Sequence, residues 1–138
     1  MAEPFRTTRI VEFHDTDMAG IMHFASFYLY MASAEHELFR SLGLSLCSNN
    51  DQSLTFPRVS ASCDFKSPAR CEEILDIAVS IVRLGTKSLT FRFDFTHDGR
   101  EVASGQITSV CCHVDPNEPL KSVPIPAEMA EKLQSFLT

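Results

Sequence analysis

Residues 15–24 read Asp-Thr-Asp-Met-Ala-Gly-Ile-Met-His-Phe, and the apolar stretch that they open decides how the chain folds. From about Phe24 to Leu42, apolar side chains recur at steps of three and four residues, which is the period of an α-helix. Leu29, Tyr30 and Ala32 fill much of the remaining circumference, and a helix that is apolar nearly all round is buried on most sides. We therefore predict a long buried helix directly after two carboxylates.

The rest of the chain predicts an antiparallel sheet. Apolar residues alternate at a period of two after the helix, and Asp98-Gly99 is a signal for a tight hairpin turn. The predicted strands are Phe5–Phe13, Leu54–Phe65 with an interruption near Pro57, Ile74–Leu84, the segment around Leu89 to Phe95, and Glu101–Val114. Pro126–Phe136 is predicted as a short helix and the polar run 48–52 as a loop. Strands joined by tight turns are largely antiparallel, so the class is α+β.

Length and composition restrict the functions that the chain can have. Its 138 residues form one predicted domain, 1–138, without linker or repeat, and the net charge of −6 argues against a general affinity for nucleic acid. Five Cys without a Cys-x-x-Cys spacing fit neither a disulfide framework nor a zinc motif. The N-terminal residues do not resemble a signal peptide, and no apolar run approaches the roughly 20 residues of a membrane span. We expect a cytoplasmic protein that does not enter membranes.

The acidic residues before the predicted helix suggest acyl transfer. A helix start offers unpaired backbone N–H groups, and a carboxylate beside it can attack a carbonyl, or activate water to do so, while those groups hold the carbonyl oxygen. Asp17 has two interpretations, a capping or turn residue and a catalytic carboxylate. Asp15 is predicted to hold the loop together through backbone hydrogen bonds.

His23 has three possible roles: orienting substrate, donating a proton to a leaving group, or filling the helix entrance. The nearby acids and His14 lack the spacing of a known metal motif, so we predict no metal site. The stripe of Met18, Met22, Phe24, Phe27 and Met31 is compatible with an acyl pocket and with core packing.

Residues 13–23, Phe-His-Asp-Thr-Asp-Met-Ala-Gly-Ile-Met-His, resemble the N-terminal motif of hotdog-fold acyl-CoA thioesterases of the 4-hydroxybenzoyl-CoA thioesterase type. Segments 56–59, 65–69 and 85–88 resemble, in order, the start of the second strand, the turn after it and the turn before the fourth. The resemblance implies a five-stranded antiparallel sheet wrapped around a long central helix. It also implies subunits that pair through their sheets into a homodimer or homotetramer, with active sites at the interface.

The resemblance implies a role for particular residues. Asp17 matches the catalytic carboxylate, and the backbone N–H near Phe24 matches the donor that polarises the thioester carbonyl, with His23 beside it. Gly20 belongs to the binding loop, where it permits tight packing or a positive φ. Residues around Arg58–Cys63 of a neighbouring subunit help to form the pocket. The residues that can meet the phosphates of coenzyme A are Lys66, Arg70, Lys87 and Ser88.

The predicted function is hydrolysis of an acyl- or aroyl-CoA thioester to a free acid and CoA, with the thioester as substrate and no cofactor. Asp17 is the predicted nucleophile or general base. Two alternatives stay open. One is a hotdog hydratase or dehydratase, for which only the region of His36 offers a candidate site, and the other is a non-catalytic module that binds acyl-CoA.

Overall fold

A computed structural model describes residues 2–47 and 53–138. Its strands are β1 (Phe5–Ile10), β2 (Leu54–Thr55), β3 (Arg58–Phe65), β4 (Ile74–Leu84), β5 (Ser88–His97), β6 (Arg100–Val110), β7 (Cys112–His113) and β8 (Lys121–Ser122). Its helices are α1 (Phe24–Ser41) and α2 (Ala127–Leu133), with 3₁₀ turns at Phe13–Asp15 and Gln134–Phe136. The polar run 48–52, predicted as a loop, lies outside the described residues.

The main sheet has five strands in the order β1-β4-β5-β6-β3, and every neighbouring pair is antiparallel. The strands β1 and β3 form the two edges, and α1 carries the chain across the sheet between them. Segment 66–73 then leads back to β4, and β4, β5 and β6 are neighbours both in the chain and in the sheet. A smaller sheet contains β2, β7 and β8. The α+β class and the five-stranded antiparallel sheet predicted from the sequence are confirmed.

The core lies between α1 and one face of the main sheet. The buried side of β5 carries three phenylalanines, Phe91, Phe93 and Phe95, as its period of two predicts. The ring of Phe27 on α1 meets that of Phe95 edge to face, with centroids 5.3 Å apart. Aromatic pairs favour this geometry, and it fixes the first turns of the helix against the sheet.

Three details differ from the sequence-based expectation. The first strand ends at Ile10 rather than Phe13, because the chain turns into the 3₁₀ segment that leads to the acidic loop. The last strand is interrupted at Cys111. Its N–H still donates to the carbonyl of Lys87, in register with β5, but its carbonyl accepts from the Val123 N–H, and β7 then pairs with β2 and β8 in the smaller sheet. Helix α1 is not buried all round, since Phe24 and Leu29 are 60% and 66% exposed in the single chain.

Within the described ranges, no helix has the length and hydropathy of a membrane span.

Candidate active site

A tight loop carries Asp17 from the 3₁₀ turn to α1. The Asp17 N–H donates to the carbonyl of Ile21 (2.9 Å), and the Gly20 N–H donates to the carbonyl of Asp17 (3.0 Å). Gly20 has a φ of +78°, and a Cβ built on it would meet nothing within 4 Å. Of the two predicted reasons for glycine at this position, the structure therefore favours the positive φ over close packing.

Asp15 ties the base of this loop to the helix. One oxygen of its carboxylate, Oδ2, accepts from the Glu12 N–H (3.1 Å) and from the hydroxyl of Tyr30, two turns inside α1. Its backbone carbonyl accepts from the N–H of His23 (2.8 Å) and the hydroxyl of Ser26 (3.1 Å). The predicted structural role of Asp15 is confirmed. Its partner Tyr30 was not predicted, because no local pattern relates residues 15 positions apart.

The start of α1 leaves one backbone donor free. The Nδ1 atom of the His23 imidazole accepts from the Ala25 N–H (3.1 Å), so this side chain caps the helix. The Ser26 N–H donates to the carbonyl of His23 (3.0 Å). Among the described residues, the N–H of Phe24 has no hydrogen-bond acceptor, and Phe24 itself is largely exposed. The helix therefore presents this N–H to whatever binds beside it.

Asp17 and Phe24 line the same cleft, which has a volume of about 450 Å³. The other residues around it are Ile21, Met22, Phe27, Phe65, Lys66, Ser67, Pro68 and Ala69. The loop before α1 forms one wall and the turn after β3 forms the other. The two walls are joined by a hydrogen bond from the N–H of Met22 to the carbonyl of Ala69 (2.7 Å).

Both predicted interpretations of Asp17 are compatible with its geometry. Its Oδ1 atom accepts from the Ala19 N–H (2.8 Å), which is the local turn expected of an Asp before a helix. Within the part of the chain that the structure describes, its Oδ2 atom has no hydrogen-bond donor. The side chain is exposed at the cleft, so one oxygen is oriented by the loop while the other can meet a substrate or a water.

The Met and Phe stripe divides between pocket and core. Met22, Phe24 and Phe27 line the cleft, whereas Met31 is fully buried under the sheet and Met18 is fully exposed at the tip of the loop. Helical spacing predicted which residues share a face, but the approach of the turn after β3 decides which of them border the cavity.

The predicted CoA-binding residues fall into two groups. Lys66 lines the cleft, with its Nζ atom 3.8 Å from a carboxylate oxygen of Glu101, and Arg70 is exposed immediately after the cleft residue Ala69. Lys87 and Ser88 lie beyond the far end of β4, and its 11 residues span roughly 30 Å. Within one subunit, these two residues are not brought to the cleft.

Arg58 also lies away from the cleft and has a partner that was not predicted. Its Nη1 atom donates to the carboxylate of Glu35 on α1 (2.9 Å), to the hydroxyl of Ser109 on β6 (2.9 Å) and to the carbonyl of Phe56 (3.2 Å). Glu35 is completely buried, and burial raises its pKa although the Arg58 guanidinium opposes that rise. The sequence does indicate that Glu35 faces the core, because it lies at helical spacing from Met31 and Leu38 and so shares their apolar side of the helix.

Cysteine chemistry at this site has no support. Burial is the main reason why the pKa values of Cys63 and Cys111 rise to about 11, so both remain neutral thiols near pH 7. The reactive form of cysteine is the thiolate. These two residues are therefore poor nucleophiles, in agreement with the predicted structural role.

Comparisons with known proteins identify the family. A profile of the Thioesterase-like superfamily matches residues 11–133. The chain belongs to this superfamily. A 1,4-dihydroxy-2-naphthoyl-CoA hydrolase of Synechococcus elongatus is 26% identical over 94% of this chain and 95% of its own. The solved structure of a gentisyl-coenzyme A thioesterase is 30% identical, with a TM-score of 0.82 over 94% of this chain and 99% of that one.

A solved structure of lower sequence identity shares the fold. A 4-hydroxybenzoyl CoA thioesterase, solved as a mutant complexed with 4-hydroxybenzoyl CoA, is 21% identical, with a TM-score of 0.85 over 96% of this chain and 99% of that one. The resemblance inferred from residues 13–23 is thereby confirmed, and with it the hotdog thioesterase fold and the enzyme class, thioester hydrolase. The roles of individual residues stay predictions.

Proposed function

We propose that this chain hydrolyses an acyl- or aroyl-CoA thioester to a free acid and CoA. The observation that carries the proposal is that Asp17 and the free N–H of Phe24 border one apolar cleft at the start of α1. A base or nucleophile and an oxyanion donor are the two groups that thioester hydrolysis requires. Membership of the thioesterase-like superfamily supports the same reaction.

Two routes use the same residues. In the first, Asp17 removes a proton from water, whose oxygen bonds to the thioester carbon; the C–S bond then breaks, and the thiolate of CoA receives that proton. In the second, the carboxylate of Asp17 attacks the carbon itself, CoA leaves, and water hydrolyses the resulting anhydride. In both, the Phe24 N–H stabilises the oxyanion. No cofactor takes part, since the CoA thioester is the substrate.

We assign His23 a positioning role. Its imidazole accepts from the Ala25 N–H and stacks on the Phe24 ring with centroids 4.6 Å apart. These contacts hold the first turn of α1, so that its free N–H points to the cleft. Of the three roles predicted for His23, these contacts support filling the helix entrance, and we extend that role to holding the first turn of α1.

We propose that the active site is completed by a second subunit. Strand β3 is an edge whose residues are nearly all exposed, and the apolar side chains of Val59 on β3 and Leu29 on α1 are uncovered in the single chain. Pairing two β3 edges would cover these groups and join the two sheets into one continuous sheet, with α1 as a long central helix packed on it. It would also bring the Arg58–Cys63 segment of a neighbour towards the cleft. Lys87 and Ser88 can contact CoA only from another subunit, as in a dimer of dimers.

The hydratase alternative has less support from the site. His36 does not line the cleft, and the acid beside it, Glu35, is held by Arg58 inside the core. A hydratase would need a histidine and an acid facing the bound thioester. The non-catalytic alternative is addressed directly by measuring turnover.

The decisive experiment substitutes Asp17. We expect Asp17→Asn to retain the fold, because the amide oxygen can still accept from the Ala19 N–H, and to lower kcat by at least about 10²-fold, as loss of a base or nucleophile does. The measurement is release of free thiol from a panel of short, long, branched and aromatic acyl-CoAs, with circular dichroism as the test of folding.

A matched control makes the same chemical change elsewhere. Asp76→Asn replaces an exposed carboxylate on β4, and its kcat should equal that of the wild type. Near-normal turnover by Asp17→Asn would remove Asp17 from the mechanism. A single turnover in ¹⁸O-labelled water tests for the anhydride: label in the Asp17 carboxylate would establish that route, since general-base catalysis places label only in the free acid.

A further inference from the structure

One wall of the cleft is an irregular segment that other residues must hold in place. Segment 66–70 follows directly after β3, and its first four residues line the cleft. Two backbone hydrogen bonds fix its beginning, since the N–H groups of Lys66 (2.8 Å) and Ser67 (3.2 Å) both donate to the carbonyl of Val102 on β6. Surface segments without regular structure are mobile unless other groups fasten them. The side chains that fasten the rest of this wall therefore bear on how a substrate is held.

Arg100, the first residue of β6, fastens the wall from the side of the β5–β6 hairpin. Its Nη1 atom donates to the hydroxyl of Ser67 (2.7 Å) and to the carbonyl of Pro68 (2.7 Å). Its Nη2 atom forms an ion pair with Oε1 of Glu73 (3.4 Å). A guanidinium carries its donors in a rigid plane, so three acceptors on one turn fix that turn relative to the hairpin.

Glu73 connects the end of the segment to the same guanidinium. Its Oε1 atom also accepts from the N–H of Arg70 (2.7 Å), and its own N–H donates to the carbonyl of Arg70 (3.1 Å). Its Oε2 atom lies 3.5 Å from Nε2 of His97, at the end of β5. The side chains of Arg100 and Glu73 are 39% and 24% exposed, so water and salt screen their ion pair only in part.

The fastened segment sets the width of the cleft. The carbonyl of Ala69 accepts from the N–H of Met22 (2.7 Å), and this bond joins the two walls. The loop that carries Asp17 is held separately, since the carbonyl of Asp15 accepts from the helix start. One wall is thus anchored at α1, and the position of the other depends on Arg100.

We propose that Arg100 and Glu73 are positioning residues for thioester binding: this pair, the Arg100–Glu73 clamp, holds segment 66–70 where it contacts the substrate. The inference rests on the proposed function and adds two residues to it. Asp17 and the N–H of Phe24 belong to the other wall, so the clamp acts on substrate binding rather than on the chemical step. The contacts that carry the inference all lie within one chain.

The first test removes each member of the clamp. In Arg100→Ala and in Glu73→Ala, we expect KM to rise about 10-fold for the acyl-CoA that the chain hydrolyses fastest, the loss of about one charged hydrogen bond. The value of kcat should stay within about 2-fold, as expected when only uniform binding is lost. The double variant should be no worse than the single variants, because both break one clamp. Glu73→Gln should keep the KM of the wild type, since its amide oxygen can still accept from Arg70 and Arg100.

The sign of the Glu73 effect separates the clamp from a direct contact between Arg100 and CoA. If Arg100 bound a phosphate of CoA, removing the negative charge of Glu73 would free the guanidinium and lower KM. A KM that falls or stays constant in Glu73→Ala would overturn the proposal, and so would additive effects in the double variant. The control is Arg40→Ala, which removes an exposed arginine from the last turn of α1 and should change neither constant.

A measurement without substrate separates failure of the clamp from failure of the proposed function. Amide hydrogen exchange reports local opening, and we expect exchange in segment 66–70 to be about 10-fold faster in Arg100→Ala, with exchange in α1 unchanged. Unchanged exchange in segment 66–70 would reject the clamp even in an active enzyme. If no thioester is hydrolysed, the proposed function fails, and the clamp is judged by the binding of coenzyme A. Its dissociation constant should then be higher for Arg100→Ala, and equal constants would overturn the proposal.

Discussion

At the scale of single residues, two buried carboxylates serve different purposes. Asp15 has a hydroxyl and a backbone donor on one oxygen and holds the loop that carries Asp17. Glu35 has one ion-pair partner, Arg58, and its Oε1 atom is buried without a hydrogen bond among the described residues. An incompletely paired buried carboxylate destabilises the folded state when it is charged.

This imbalance predicts how stability depends on pH. Burial raises the pKa of Glu35 in the folded state. At a pH between the ordinary pKa of a carboxyl group and this raised pKa, the folded chain keeps the proton on Glu35, whereas the unfolded chain has released it. The free energy of unfolding should therefore fall as pH rises through this window, by up to about 1.4 kcal/mol per pH unit. Urea denaturation of wild type and Glu35→Gln at a series of pH values checks this, since the variant lacks the titrating group and its curve should fall less steeply. If the free energies of unfolding of the two proteins differed by the same amount at every pH, Glu35 would not be the group responsible for the pH dependence.

At the scale of secondary-structure elements, the junction between the 3₁₀ turn and α1 determines the site. The loop between them is closed at its base by Asp15 and along its length by hydrogen bonds from Asp17 and Gly20. The hydroxyl of Tyr30 reaches this junction from within the helix, and it also lies 3.0 Å from the carbonyl of Ile10 at the end of β1. Three elements thus meet at one phenol group.

Removing that hydroxyl should loosen the junction. In Tyr30→Phe, the buried carboxylate of Asp15 loses its side-chain donor, which we expect to lower the free energy of unfolding by about 1–3 kcal/mol. Because the loop also orients Asp17, kcat should fall while KM changes little. The control is Tyr28→Phe, since the Tyr28 hydroxyl has no hydrogen bond within the described ranges and is only half-buried. Equal losses in the two variants would show that the phenol–carboxylate contact does not position the loop.

At the scale of the whole molecule, the sheet is unfinished along β3. This edge runs directly into the cleft at Phe65, and a long exposed edge strand is a template for pairing with another chain. The same edge carries the Arg58–Glu35 ion pair at its other end, so α1 and β3 are held together where a partner would approach.

Disrupting this edge should dissociate the assembly. Val59 is 61% exposed at a β-bulge of β3, and Val59→Asp would place a charge against the neighbouring subunit. We expect a lower mass by light scattering and a loss of kcat/KM, because each cleft loses the residues that its neighbour supplies. The matched control is Val82→Asp, at a bulge of β4, an inner strand of the sheet that pairs with β5 at this position. A wild type that is already monomeric and active would reject the shared site.

The sequence by itself determined the elements and the position of the loop before the helix start. Alternation at a period of two predicted β4 within its observed bounds, and the period of α1 predicted a helix from Phe24, because both patterns arise from neighbours along the chain. The motif at Asp17 and Gly20 identified the loop for the same reason, since turn conformations depend on local residues.

Only the tertiary structure decided which of these groups meet. Lys66 and Lys87 look equivalent as basic turn residues, yet one lines the cleft and the other lies a full strand length away. The partners of Asp15 and Glu35 lie 15 and 23 positions along the chain, and the ring contact between Phe27 and Phe65 joins residues 38 positions apart. Such pairs depend on how the helix lies on the sheet, and packing of the whole core, not any local pattern, sets that placement.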